Sequence, residues 1–169
     1  MWCRLGEVGF WQSGATPSRK NPAYFDGDIP WLKTGDLNDG IVKWIPESIT
    51  DLAMRETSAR INPAGSVLIA MYGATIGKLG ILCFPAATNQ ACCACSAFVG
   101  IEPKYLFYFL LGHRNKFVDS GSGGAQPNIS KEKIVNTPIP LPPFAEQRRI
   151  VAAIEAAFEQ LNSIAAMLT

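Results

Sequence analysis

The stretch from Leu141 to Val151 constrains this chain most, because a proline pair, Pro142-Pro143, runs straight into a long helical pattern. Proline sets φ near the helical value and lacks an N–H that the first turn of a helix could not use, so Leu-Pro-Pro predicts a helix start. Glu146 falls in the first turn, where a negative charge faces the positive end of the helix dipole. From Phe144, the positions spaced alternately by three and four are Phe144, Gln147, Val151, Ile154, Phe158, Leu161, Ala165 and Leu168, and only Gln147 is polar. That spacing is a heptad seam and predicts a coiled coil. At 1.5 Å per residue the helix to Thr169 would be about 39 Å long, more than a small domain needs for its own core. Ile150, Ala157 and Ile164 widen the apolar face, so the helix is expected to meet more than one surface.

With 169 residues and 48% apolar content, the chain suffices for one domain with a core plus that appended helix. Charged residues are 17% and the net charge is +1, so the chain is not a polycation. This neither favours nor excludes nucleic acid, because a local patch or a basic partner can supply phosphate contacts. Met1-Trp2-Cys3-Arg4 leads into no apolar signal region, and no run approaches the ~20 apolar residues of a membrane span, so a cytoplasmic location is expected. Five cysteines, an odd number, are expected as reduced thiols. Adjacent Cys92 and Cys93 would point to opposite faces of a strand, and no second pair stands at zinc-finger spacing, so no metal is expected. Residues 91–99, with Cys95, read instead as one buried strand in which cysteine packs as a small hydrophobe.

Residues 2–10 have strand character, and Ser13-Gly14-Ala15-Thr16-Pro17-Ser18 with Asn21-Pro22 forms a turn-rich loop. Residues 29–33 and 41–45 read as short strands, with Asp39-Gly40 between them a hairpin-type turn signal. Thr50 or Ser48 can cap a short helix running to Arg60. Two apolar strands follow at 66–71 and 79–84, joined by the glycine-rich segment 72–78. Residues 103–116 read as an aromatic-rich helix on the spacing of Tyr105, Phe109 and Gly112. Gly121-Ser122-Gly123-Gly124-Ala125 is too polar and glycine-rich for a core element and reads as flexible before binding. Ser130 is placed to cap a short helix through Val135. The predicted fold class is mixed α/β, a compact domain with much loop over residues 1–142, followed by a long C-terminal helix over residues 143–169.

Residues suited to catalysis are few. His113, the single histidine, sits beside Arg114 at the expected end of the aromatic helix, with no Gly-x-Ser-x-Gly motif to partner it, so a capping or solvent-facing role is expected. Gly73-Ala74-Thr75-Ile76-Gly77-Lys78 is one residue short of a P-loop, and Leu79 stands where a Ser or Thr would hold magnesium. Asn21-Pro22-Ala23-Tyr24 is near the Asn-Pro-Pro-Tyr motif of amino methyltransferases, but the second proline is missing and no glycine-rich cofactor fingerprint follows a strand. A turn is the expected structure.

The segment Pro140-Leu141-Pro142-Pro143, with Glu146-Gln147 and Ile150-Val151, resembles the join between a target recognition domain and a spacer helix in the DNA-specificity subunit of type I restriction-modification enzymes. Upstream, Gly14-Ala15-Thr16-Pro17-Ser18, Gly27-Asp28-Ile29-Pro30-Trp31, Pro63-Ala64-Gly65-Ser66-Val67-Leu68, the 73–78 segment and Ala87-Thr88-Asn89-Gln90 resemble the same family's signposts, in the family's order. The resemblance spans about residues 5 to 160. It implies a module that reads half of a split double-stranded DNA target and has no active site or bound cofactor. S-adenosylmethionine, ATP and magnesium would sit on partner methyltransferase and endonuclease (translocase) subunits. Such subunits typically hold two recognition domains and two spacer helices. This chain has one of each, so it is expected to be a fragment or a half-unit that dimerises through its helix.

Base readout needs side chains with paired hydrogen-bonding groups on loops: Arg or Lys for guanine, Asn or Gln for adenine. The candidates are Lys33 and Thr34; Tyr72, Thr75 and Lys78; and Gln126, Asn128 and Ser130. Ser13, Thr16, Arg19 and Lys20 are candidates for phosphate contacts. Val151, Ile154, Phe158, Leu161, Ala165 and Leu168 are the candidate partner or dimer face. Three alternatives compete: a stand-alone nucleotide-dependent or methyl-transferring enzyme, an assembly adaptor without DNA readout, and a recognition domain detached from a fused methyltransferase. Convergence of the three loops on one face would favour the DNA-reading module.

Overall fold

Val67, Leu68, Ile69 and Ala70 are wholly buried, as a run of consecutive apolar residues requires if it forms a strand covered on both faces. The computed structural model describes residues 1–119 and 128–168. Its strands, in chain order, are β1 (Trp2–Arg4), β2 (Gly9–Ser13), β3 (Phe25–Leu32), β4 (Gly40–Val42), β5 (Ser48–Ile49), β6 (Val67–Ala70), β7 (Leu79–Leu82), β8 (Ala87–Thr88), β9 (Cys92–Ala97) and β10 (Pro138–Pro140). The helices are α1 (Asp51–Glu56), α2 (Pro103–Asp119), α3 (Lys131–Asn136) and α4 (Phe144–Met167). A mixed α/β fold results.

Five strands form the main sheet in the order β2-β9-β6-β7-β4, antiparallel except for the parallel β7–β4 pair. Alternation along its strands divides the core in two. Val67, Ile69, Leu79, Cys93 and Cys95 face α2, where Leu106, Phe107, Leu110 and Phe117 cover them. Leu68, Ala70, Leu82, Cys92 and Ala94 face the other way, towards Leu32, Leu37 and Val42. Cys92 and Cys93 thus serve opposite faces. Burial pushes the Cys93 and Cys95 thiols up to about 12 and raises Cys92 further. A second sheet, β5-β3-β8, surrounds a smaller cluster built on Trp31, Ile49 and Ala53. β1 and β10 pair antiparallel as a separate two-stranded sheet, with Ile139 buried in the α2-side core.

Several expectations need correction. Residues 2–10 are not one strand: β1 and β2 are separated by a 3-10 turn at Leu5–Glu7, fixed by the Arg4 N–H donating to the Glu7 carboxylate at 2.6 Å. Asp39-Gly40 closes no hairpin, because β3 and β4 belong to different sheets. Asp39 does adopt a positive φ of 62°, but its N–H donates to the Leu79 carbonyl and its carboxylate accepts the Leu79 N–H, each at 2.9 Å. The helix capped by Thr50 stops at Glu56 rather than Arg60, where Thr57 turns its hydroxyl onto the Ala53 carbonyl at 2.7 Å. The aromatic helix runs on to Asp119, so His113 is not at its end; the imidazole stacks on Phe109 with 4.0 Å between ring centroids. Gly112 is exposed, whereas Tyr105 is buried as expected, along with Leu106, Phe107, Leu110 and Phe117.

Ser130 caps α3 as expected, its hydroxyl accepting the Lys133 N–H at 3.1 Å. The terminal helix forms over 24 residues. On length and composition alone α4 is also apolar enough to cross a membrane, contrary to expectation. It nevertheless carries Glu155 and Glu159, and Glu155 is ion-paired at 2.6 Å to Lys104 of α2. A coiled coil is not part of the structure, which holds one chain.

Candidate nucleic-acid interface

Strand direction decides where the loops go. β2 and β6 run one way in the main sheet and β9 and β7 the other, with β4 parallel to β7. The segments that follow β2 and β6, and those that precede β9, β7 and β4, therefore share one end of the sheet. After β2, the backbone is tied across by Gly14 N–H to Cys92 O at 3.1 Å and Ala15 N–H to Thr88 O at 2.9 Å. The Trp31 indole N–H also donates to the Ala15 carbonyl at 3.0 Å. β3 runs parallel to β8, and the Asn89 N–H donates to the Leu32 carbonyl at 2.9 Å, which brings Lys33 and Thr34 to the same end. Met71 accepts the Ile129 N–H at 2.7 Å, and Tyr72 pairs with Asn128, which adds the segment leading to α3.

The 72–78 turn needs its glycines: Gly73 and Gly77 sit at φ of +83° and +78°, a region other residues enter only with strain. Gly77 N–H returns to Ala70 O at 2.8 Å, and Lys78 N–H to Thr75 O at 2.9 Å. From outside, Arg114 of α2 donates Nε to the Gly77 carbonyl at 2.9 Å and is ion-paired to Asp39. The turn leads into β7 rather than a helix, so the helix N-terminus that a P-loop uses to hold phosphate is missing.

The candidate residues divide by exposure. Ser13, Thr16, Arg19, Lys20, Lys78, Asn128 and Ser130 are exposed; Lys33, Tyr72 and Thr75 are partly buried, and burial pushes the Tyr72 phenol up. Thr34 is 8% exposed and presents little surface. The Ser130 hydroxyl already caps α3. Gln126 and the 121–125 tract lie outside the described residues. Asn21 spends its side chain on the Ala23 N–H at 3.2 Å, within a 3-10 turn over Pro22–Tyr24.

Two groups at this end escaped sequence reasoning. Asn89 and Gln90, between β8 and β9, are polar, and the Asn89 Oδ1 and Thr88 Oγ1 atoms are buried without a hydrogen-bond partner among the described residues. Their appearance among the family-like signposts was the available signal. Glu47 forms ion pairs with both Arg19 and Lys33. No local pattern announces residues that meet across separations of 28 and 14 positions.

On α4, Val151 is buried and Ile154 partly so, whereas Phe158, Leu161, Ala165 and Leu168 are exposed. Phe158 stacks on Tyr108 at 6.1 Å between centroids.

A mixed sheet gathering polar loops at one end, with a long helix after a proline pair, defines the class. The model of the type I restriction modification DNA specificity domain matches residues 2–166, and the chain belongs to that family. It is 30% identical over 170 residues to the type I restriction enzyme EcoR124I/EcoR124II specificity subunit of Escherichia coli, covering 96% of this chain and 42% of that one. It is 31% identical over 156 residues to the MjaIX specificity subunit of Methanocaldococcus jannaschii, covering 89% of this chain and 36% of that one. The HsdS subunit from Thermoanaerobacter tengcongensis shares the fold at a TM-score of 0.82 and 22% identity, over 100% of this chain and 40% of that one. The chain thus spans less than half the length of these relatives.

Proposed function

We propose that this chain is one recognition half of a type I DNA-specificity subunit, reading one half of a bipartite duplex target without catalysing a reaction. Residues 1–142 serve as the target recognition domain, and residues 143–169 as the spacer helix that joins a methyltransferase subunit, an endonuclease subunit or a second copy. S-adenosylmethionine, ATP and magnesium act on those partners, and the complex works in the cytoplasm, where reduced thiols persist.

The observation that supports this reading is the meeting of the post-β2 loop, the Lys33 turn, the 72–78 turn and Asn128 at one end of the main sheet. Phosphate contacts fix register, and base contacts specify sequence. In this division Asn128, with the paired donor and acceptor that suit adenine, reads bases, and Lys78 holds phosphate or guanine. The test is competition binding of the assembled methyltransferase complex to matched and mismatched duplexes over a salt series. Asn128→Ala is expected to cost roughly 1–3 kcal/mol at the true site and to relax its preference. Lys78→Ala, if it holds phosphate, is expected to weaken all duplexes alike and flatten the salt slope by about one unit. Unchanged preference in Asn128→Ala and Gln126→Ala would move base readout to residues 72–78.

A further inference from the structure

Two cations at the sheet end are already engaged. One Glu47 oxygen lies 2.5 Å from the Arg19 guanidinium, and the other is ion-paired to the Lys33 ammonium. The Trp31 N–H donates to the Glu47 carbonyl at 2.9 Å, which fixes the chain before β5 alongside β3 and so places the carboxylate between the two cations. Arg19 is held further by aromatic faces, its guanidinium 4.4 Å from the centroid of Phe25 and 5.4 Å from that of Trp31. Hydrogen bonds from Lys33 and then Arg19 hold the Glu47 carboxyl below the usual range, so it stays ionised near neutral pH.

Exposed pairs of this kind add little stability, and their effect lies in what the cations remain free to do. Each Lys or Arg that reaches a phosphate releases counterions and adds affinity that is blind to sequence. A carboxylate between Arg19 and Lys33 opposes that transfer, because phosphate must displace it. We infer that Glu47 is a specificity-determining residue of the DNA face, competing with backbone phosphates for Arg19 and Lys33 and so holding down sequence-independent binding. A duplex whose bases also engage the neighbouring loops supplies the extra free energy that moves the cations from Glu47 to phosphate.

This inference rests on the reading of the sheet end as a DNA face, and its test separates the two. The full chain is titrated into a fluorescent random-sequence duplex between about 50 and 200 mM salt, the range over which phosphate contacts show most clearly. Glu47→Gln, which keeps the shape and an acceptor oxygen, is expected to bind about tenfold tighter at low salt, with a slope steeper by roughly one to two units. Replacing Arg19 and Lys33 by Ala in that background should restore the original slope; the same pair of changes with Glu47 present should alter binding little. Glu159→Gln removes an equal charge from α4, and a matching rise there would reduce the effect to net charge and overturn the inference. Unchanged or weaker binding by Glu47→Gln overturns it too. If Lys78→Ala still weakens binding in that case, the DNA face stands without this role for Glu47. If neither substitution alters binding to any duplex, the DNA reading falls as well.

Discussion

From Gln147 to Val151, α4 lies against the domain, while from Leu161 to Leu168 it presents apolar side chains to solvent, although both halves follow the same three-and-four spacing. The contact in the first half is centred on the seam's polar member. Gln147 is 1% exposed: its carbonyl oxygen accepts the Glu102 N–H at 2.9 Å, and its amide donates to Gly100 O at 3.1 Å and Pro142 O at 3.0 Å. These groups are the unpaired ends of other elements, and a buried polar group is tolerable when each of its bonds is made. In the second half Leu161, Ile164 and Leu168 are 60%, 55% and 82% exposed, with nothing among the described residues to cover them. A repeat of apolar residues therefore shows that a helix face will be covered, without saying by what. Gln147, the apparent flaw, marks where the chain covers its own helix.

The largest expected effect breaks the second half alone. Ile154→Asp with Leu161→Asp should abolish assembly with a methyltransferase subunit or a second copy while leaving the domain folded, as measured by light scattering and a thermal melt. Since Ile154 is partly buried, Leu161→Asp with Ile164→Asp gives the cleaner version, and unchanged assembly there would leave the exposed face without the proposed role. Next comes the first half: Gln147→Ala leaves two carbonyls and an N–H without their partner and should lower stability by about 3 kcal/mol, read by urea unfolding. Should the loss be only a few tenths, water has replaced the amide and the joint is looser than described.

The smallest effect lies between the halves, at Lys104 and Glu155. Both side chains are over a third exposed, so a double-mutant cycle should give about 0.5 kcal/mol. The hydrogen bond that Lys104 donates to the Glu155 carboxylate raises the Lys104 pKa. The contribution is therefore present below the ordinary lysine range and is lost as pH rises through the folded value. A coupling that persists well above that range would point to packing of the aliphatic stems.

What could be read from the sequence was local. Thr50 and Ser130 cap helices because a hydroxyl and an N–H three residues on are neighbours by chain geometry, and the strands near 66–71, 79–84 and 91–99 announce themselves by apolar runs. Two of the candidate loops, at residues 33–36 and 72–78, do lie between strands. The partners of those elements were not legible, since β4 beside β7 and β1 beside β10 are chosen by tertiary packing over long separations. Asp39 shows the cost: its left-handed backbone was legible as a turn, but whether that turn closes a hairpin depends on Leu79, far along the chain. Within the candidate face, exposure and charge pairing were hidden for the same reason. Thr34 and Lys33 look alike as loop residues, yet one is buried and the other is tied to Glu47.

The pairing of β1 with β10 has a consequence for how α4 is anchored. Met1 O accepts the Leu141 N–H at 2.8 Å, so two segments far apart in sequence lie side by side immediately before α4. The residues between them are closed into a loop by this short strand pair. Beyond this clasp, α4 is held by the Gly100 and Glu102 backbone groups that receive Gln147 and by α2, through Lys104 on Glu155 and Tyr108 on Phe158, so a change of side chain at any of these points loosens the helix without touching the sheet.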